Sequence, residues 1–89
     1  MDNSKEFLIA IEYVKKLKQT PSNDELITLY GYYKQAVIGD INISQPTMFN
    51  IKATQKWSAW NSRKGITKFN SEVEYIKIVN KLIQTHGIH

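Results

Sequence analysis

The chain has 89 residues, with twelve lysines and arginines against eight acids, a net charge of +4, two histidines and no cysteine. That length allows one modest core and no deep cleft between domains, so a single domain over residues 1–89 is expected. Without cysteine, neither a disulfide framework nor a thiolate metal site can hold the fold, which leaves the job to well-packed local helices.

The N-terminus, Met1-Asp2-Asn3-Ser4-Lys5-Glu6, is polar and carries acids, and the apolar stretch after it is broken by Glu12, Lys15 and Lys16. Neither a signal peptide nor a membrane span fits, so a soluble cytoplasmic protein is expected. Phe7, Ala10, Ile11, Val14 and Leu17 recur at three and four residues, which predicts an amphipathic helix from Ser4 to Lys18. Asn3 with Glu6 suggests a capping box at its start, and Pro21 ends the region. Ser22 with Glu25 is a clearer box and opens a second helix, along which Leu26, Leu29, Tyr30, Tyr33 and Val37 form one stripe. Gly31 reads as a weak point there, costing about 1 kcal/mol against alanine.

Gly39-Asp40 closes the second helix and opens a loop that passes Asn42, Ser44 and Pro46 to reach Asn50. A connection of about ten residues exceeds most helix–helix turns, so the second and third helices are not expected to be simple antiparallel neighbours. The third helix, Ile51 to Arg63, carries Ala53, Lys56, Trp57 and Trp60, with Gly65 placed to cap its end. Thr67 is the expected N-cap of a fourth helix with the stripe Val73, Ile76, Val79, Leu82 and Ile83, ended by Gly87. Strand alternation is absent, and the fold class is all-α, a four-helix bundle.

Charge is unevenly spread. No acid lies between Asp40 and Glu72, whereas Lys52, Lys56, Arg63, Lys64 and Lys68 all do, and Lys15, Lys16 and Lys18 form a second cluster. One-sided charge of this kind suits an anionic partner or a solvated surface. Catalytic chemistry is not apparent. His86 and His89 lie at a terminus expected to fray, there is no cysteine nucleophile, no histidine–carboxylate metal cluster and no glycine-rich phosphate loop. Asp40, Glu72 and Glu74 read as ordinary surface carboxylates. No enzyme activity, catalytic residue, metal or cofactor is therefore expected.

The densest signal is Tyr30-Gly31-Tyr32-Tyr33-Lys34. At helical spacing Tyr30, Tyr33 and Lys34 share a face, and two phenol rings beside an ammonium can stack a flat base and hold a phosphate. Taken singly, each tyrosine, and Trp57 or Trp60, is more often a core residue than a ligand platform. Spread over three helices, Tyr30, Tyr33, Lys34, Lys56 and Tyr75 make a set that points to a nucleotide-like ligand.

The segment Leu29-Tyr30-x-x-Tyr33-Lys34-Gln35-Ala36-x-x-Gly39-Asp40-x-Asn42 resembles the signature of the acyl-CoA-binding proteins. Pro46, then Lys56-Trp57-x-Ala59-Trp60, Lys64-Gly65 and Tyr75-Ile76 with Val79 agree in order and spacing, and so do Phe7, Ala10, Val14 and Leu17. The resemblance implies an up-down-down-up bundle with a long overhand loop between the second and third helices. It also implies a non-catalytic intracellular carrier of medium- to long-chain acyl-CoA. By the same resemblance, Tyr30, Tyr33 and Lys34 match contacts to the adenine and 3′-phosphate, Lys56 a second phosphate partner, and Tyr75 a stacking or chain-covering aromatic. Lys15 and Lys52 match further basic contacts, and Phe7, Ala10, Leu26 and Ile27 match the acyl groove. The implied protein is a monomer with no nucleic-acid partner and at most transient membrane or enzyme contact.

Three places depart from the family pattern. Thr47 follows the loop proline where glycine is usual, Thr54 takes a commonly basic position, and Phe69-Asn70 stand at a usually acidic helix start. Two other readings use the same residues. A helical nucleic-acid module would use the basic stretch Lys52 to Lys68 with its tryptophans, although +4 is a low charge for one. An adaptor would use exposed tryptophan, and a fatty-acid binder would dispense with the coenzyme.

Overall fold

The computed structural model describes residues 3–47 and 49–89. Four helices form: α1 Lys5–Val14, α2 Asn23–Val37, α3 Ile51–Asn61 and α4 Lys68–His86. Each begins where a short polar side chain accepts one of the free backbone N–H groups of the first turn. Ser4 takes the amide of Phe7, Ser22 that of Glu25, Asn50 that of Ala53 and Thr67 that of Asn70. The Ser22–Glu25 box is reciprocal, with bonds of 2.8 and 3.1 Å. The cap of α1 is Ser4 and not Asn3. The Asn3 amide instead donates to the Ala36 carbonyl at 3.0 Å and to the Glu72 carboxylate at 2.7 Å.

Side-chain pairs fix the direction of each helix. Lys56 meets Tyr30 and Lys34 meets Trp60, so residue numbers rise together and α2 and α3 run parallel. Tyr33 lies near Tyr75 and Glu25 near His86, so α4 runs against α2. Phe7 packs on Tyr75 while Lys18 N–H donates to the Gly87 carbonyl at 2.9 Å, so α1 runs with α4. The bundle is up-down-down-up. Its neighbours are α1–α4, α4–α2 and α2–α3, which leaves α1 and α3 at the edges.

Parallel neighbours need a connection that returns along the bundle, and residues 38–50 supply it. Two indole N–H groups tether that loop to α3: Trp60 donates to the Gly39 carbonyl at 2.8 Å and Trp57 to the Ile43 carbonyl at 2.9 Å. The helices also approach closely. A Cβ at Gly31 would stand 2.6 Å from the Ala59 carbonyl oxygen and 2.9 Å from its carbon. Gly31 is thus the point where α3 lies on α2, and not merely a weak spot in a helix. Gly65 does not cap α3, whose C-cap is Ser62. It sits in the next turn at φ 94° and donates its N–H to Asp40.

The core is Phe7, Ala10, Leu29, Ala36, Tyr75, Val79 and Leu82. On α4 the buried residues are Ser71, Glu72, Tyr75, Val79 and Leu82, while Val73, Ile76 and Ile83 are only half-buried. The expected stripe is rotated because Glu72 occupies an inward position. It can do so because its carboxylate is satisfied by the Asn3 amide and by the Ser4 N–H at 3.1 Å. Burial pushes its pKa up, and the bonds from Asn3 and Ser4 together outweigh that and hold it below the ordinary value.

α1 stops at Val14, short of Lys18. Beyond it the backbone pairs with the C-terminus: Leu17 bridges Ile88, and His89 N–H donates to the Lys16 carbonyl at 3.0 Å. These bonds replace helical ones, and they tie down the end that was expected to fray.

Two outcomes follow from this packing. Gly31→Ala gains about 1 kcal/mol of helix propensity but meets backbone at a clashing distance, and overpacking costs of about 1–3 kcal/mol prevail. Denaturant unfolding should show a net loss of stability; a gain would mean that α3 does not rest on Gly31. Glu72→Gln keeps the shape and removes the charge, so it should cost about 1 kcal/mol at neutral pH. Because the Glu72 pKa is depressed, its contribution is complete above the ordinary value of 4.5 and is lost as pH falls through the folded value. Thermal melts of the two forms should therefore converge in acid, and an unchanged gap there would assign the effect to packing.

Candidate functional site

Where α2 and α3 lie side by side, their first halves leave a groove of about 250 Å³ lined by Asn23, Leu26, Ile27 and Tyr30 from α2 and by Lys52, Gln55 and Lys56 from α3. Helical spacing explains the set. Asn23, Ile27 and Tyr30 fall on one face of α2, and Lys52 with Gln55 and Lys56 on one face of α3. The floor is apolar and one wall carries two ammonium groups. Such a groove suits an amphiphile with an anionic head.

The two lysines nearest the motif rest on aromatic rings. Lys56 Nζ lies 5.3 Å from the Tyr30 ring centroid, and Lys34 Nζ lies 4.9 Å from that of Trp60. Such a contact is worth about 0.5–1 kcal/mol at an exposed site, whereas a hydrogen bond to a charged phosphate is worth about 1.5–3. A phosphate therefore outcompetes the ring. Trp60 is 1% exposed, and its N–H is committed to Gly39, so it offers Lys34 a fixed surface.

Tyr33 and Tyr75 belong to an aromatic cluster with Phe7. Phe7 stands edge-on to Tyr75 at 5.0 Å and stacks on Tyr33 at 6.2 Å, and the two tyrosines are 6.4 Å apart. Burial, and then the neighbouring Tyr33, push the Tyr75 phenol up to about 12, so it stays a proton donor at neutral pH. The structure thus divides the residues singled out from the sequence. Leu26, Ile27, Tyr30, Lys52 and Lys56 line the groove. Phe7, Ala10 and Tyr75 are closed into the core, so Phe7 and Ala10 form no open wall in this state. Lys15 is paired with Glu12 at 3.2 Å on the edge helix, outside the groove lining.

Asn23 and Gln55 were missed, although their spacing from Ile27 and Lys52 could have found them. Asp40 is not an ordinary surface carboxylate. It accepts from the Gly65 N–H and from the Gln35 amide, both at 2.8 Å, and those two bonds, Gly65 first, hold its pKa below the usual value. Gln35 also donates to the Ile66 carbonyl at 2.8 Å, so the end of α2 is locked to the turn before α4. The Thr54 hydroxyl donates to the Thr47 carbonyl at 3.3 Å, which joins two of the departures from the family pattern in one loop contact.

The family model described as acyl CoA binding protein matches residues 4–79. The chain belongs to the acyl-CoA-binding protein family. Within it, Acyl-CoA-binding protein homolog 1 of Caenorhabditis elegans is 45% identical over 74 residues, covering 83% of this chain and 86% of the relative. The crystal structure of Oryza sativa Acyl-CoA-Binding Protein 2 superposes with a TM-score of 0.87 at 37% identity, covering 91% of this chain and 88% of that one. The family's protein from Moniliophthora perniciosa superposes at 0.86 with 32% identity, over 97% and 86%. Among the described residues no helix is long and apolar enough to cross a membrane, and no group of three or more potential metal ligands occurs.

Proposed function

We propose that this chain binds medium- to long-chain acyl-CoA thioesters without transforming them, and carries them in the cytoplasm as a monomer of one domain. The observation that carries the reading is the α2–α3 groove, in which Leu26 and Ile27 lie beside Tyr30, Lys52 and Lys56. Coenzyme A brings a 3′-phosphate and a pyrophosphate to that wall. Tyr30, Tyr33 and Lys34 serve the adenine and the 3′-phosphate, and Lys56 a second phosphate. Lys52 and Lys15 add long-range attraction. Leu26 and Ile27 take the chain, and Tyr75, with Phe7 and Ala10, supports this surface from the core.

Head group and chain divide the labour. Stacking of a base gives about 1–3 kcal/mol. Each methylene removed from water gives about 0.8, so a long chain outweighs the head, which sets orientation. No catalytic role, metal or cofactor is assigned to any residue. The adaptor and nucleic-acid readings need an exposed indole platform. Trp60 is buried and the Trp57 N–H is held by the loop, which disfavours both.

Calorimetric titration with palmitoyl-CoA, free coenzyme A and free palmitate tests the proposal. The thioester should bind one-to-one and tightly, and either half alone weakly; equal binding of palmitate would make this a fatty-acid protein. Lys34→Ala and Lys56→Ala should each weaken the thioester by about tenfold or more, and Tyr30→Phe by about fivefold, with the fold intact by circular dichroism. Unaltered affinity in all three would remove the head-group site. Affinity should rise from about eight to about sixteen carbons, by less than the full methylene value because the groove is open. A flat response would reject Leu26 and Ile27 as the chain's floor.

A further inference from the structure

We propose that Phe49 caps the far end of the α2–α3 groove and sets a preference for long acyl chains over short ones. The proposal rests on the acyl-CoA reading and adds to it a length-selecting residue outside the groove lining. Phe49 is 98% exposed, more than any other large apolar side chain among the described residues. Its place at the start of α3 explains why. Asn50 is the cap, so Phe49 holds the position just before it, where an apolar residue often packs on the fourth residue of the helix. Here that residue is Thr54, and its hydroxyl donates to the Thr47 carbonyl at 3.3 Å. The ring is left bare on its own helix, yet it does not hang from a loose loop. Asn50 N–H donates to the same Thr47 carbonyl at 3.1 Å and closes a turn that carries Phe49.

Helix register places this ring at the groove's end. Tyr30 with Lys56 and Lys34 with Trp60 share one offset along the chain, because α2 and α3 are parallel. Carried back two turns, the same offset sets Phe49 about level with Asn23, the first residue of α2 and the last of the groove lining on that side. From Tyr30 to Asn23 the helix rises about 10 Å. Carbon–carbon bonds of about 1.5 Å at a tetrahedral angle advance about 1.25 Å per carbon, so about eight carbons fill that length and sixteen overrun it by about 10 Å. A chain that enters beside Tyr30 and Lys56 thus runs over Leu26 and Ile27 and, if long, leaves the floor at the polar Asn23. Phe49 is the aromatic side chain level with that exit. Covering the chain end removes apolar surface of both partners from water, and an octanoyl chain stops short of it.

Calorimetric titration of the wild-type chain and of Phe49→Ser with octanoyl-CoA and palmitoyl-CoA tests it. Phe49→Ser should weaken palmitoyl-CoA by about tenfold and octanoyl-CoA by less than about twofold, and Phe49→Leu should recover most of the palmitoyl-CoA loss. Because the chain has no cysteine, Phe49→Cys takes a polarity-sensitive dye at that position alone. Its emission should shift to the blue with palmitoyl-CoA and stay unchanged with octanoyl-CoA. An equal loss for both thioesters, no loss for either, or a dye response that ignores chain length would overturn the proposal while leaving the acyl-CoA reading intact. So would a concentration-dependent dimer abolished by Phe49→Ser with the length dependence untouched, which would assign the ring to a second copy. A wild-type chain that bound neither thioester would instead sink the acyl-CoA reading, and the role of Phe49 with it.

Discussion

Gly31 lets α3 lie against α2, and the groove depends on that contact. Any side chain at position 31 would run into the Ala59 backbone, so the closeness of the two helices is set at one residue. Glycine there costs about 1 kcal/mol in helix propensity, a cost offset by the packing of two whole helix faces. Because the helices are also parallel, pairs in register follow from the contact: Tyr30 with Lys56 before Gly31 and Lys34 with Trp60 after it. A parallel pair in turn demands the long return loop. The two indole N–H groups that hold this loop come from α3 itself, so the helix that forms the groove wall also anchors the connection leading into it.

A chain of this size buries a limited core, and polar clamps secure its ends. Gln35, 1% exposed, joins Asp40 and Ile66, and Asp40 adds Gly65, which fixes the end of α2 to the approach to α4. Asn3 bridges Ala36 and Glu72 at the same end of the bundle, while the Leu17–Ile88 pairing closes the other. Such bonds add modest net energy each, but an unpaired buried carboxylate or amide would cost more than any of them provides. Their effect is to specify one arrangement of helices whose apolar faces alone would admit several.

Most of the architecture was legible in the sequence because it depends on local signals. The caps Ser22 and Thr67, the breaks at Gly39 and Gly87 and the 3–4 periodicity of α1 and α2 act within a few residues of themselves. The misreadings concern groups whose partner is distant along the chain. Asn3 next to Glu6 has the form of a capping box, yet its amide is claimed by Ala36 and Glu72, 33 and 69 residues away. Gly31 reads as a defect until Ala59 is beside it. The end of α1 was overestimated because Leu17 continues the apolar period, and nothing nearby in sequence shows that Ile88 pairs with it. The same limit applies to the site. The family resemblance assigned Leu26 and Ile27 to an acyl groove and Tyr30, Lys52 and Lys56 to the head group, and the fold brings the five to one groove, whereas the closing of Phe7, Ala10 and Tyr75 into the core is a matter of packing among three helices.

The electrostatics of the groove explain the unbroken absence of acids between Asp40 and Glu72. Lys34, Lys52 and Lys56 take part in none of the ion pairs among the described residues. The acids at the start of α2, Asp24 and Glu25, face the cleft with α4 instead. A carboxylate within reach of these lysines would neutralise them and would have to be displaced by any arriving anion. An aromatic ring holds the ammonium in place more weakly than a phosphate does, so it orders the cation without competing for it. In the proposed acyl-CoA reading, part of the ordering cost of binding is then met before the ligand arrives. A basic, acid-free segment threaded with tryptophan and facing two tyrosines is what such an arrangement requires, and charge placement and ring placement are in this respect one design.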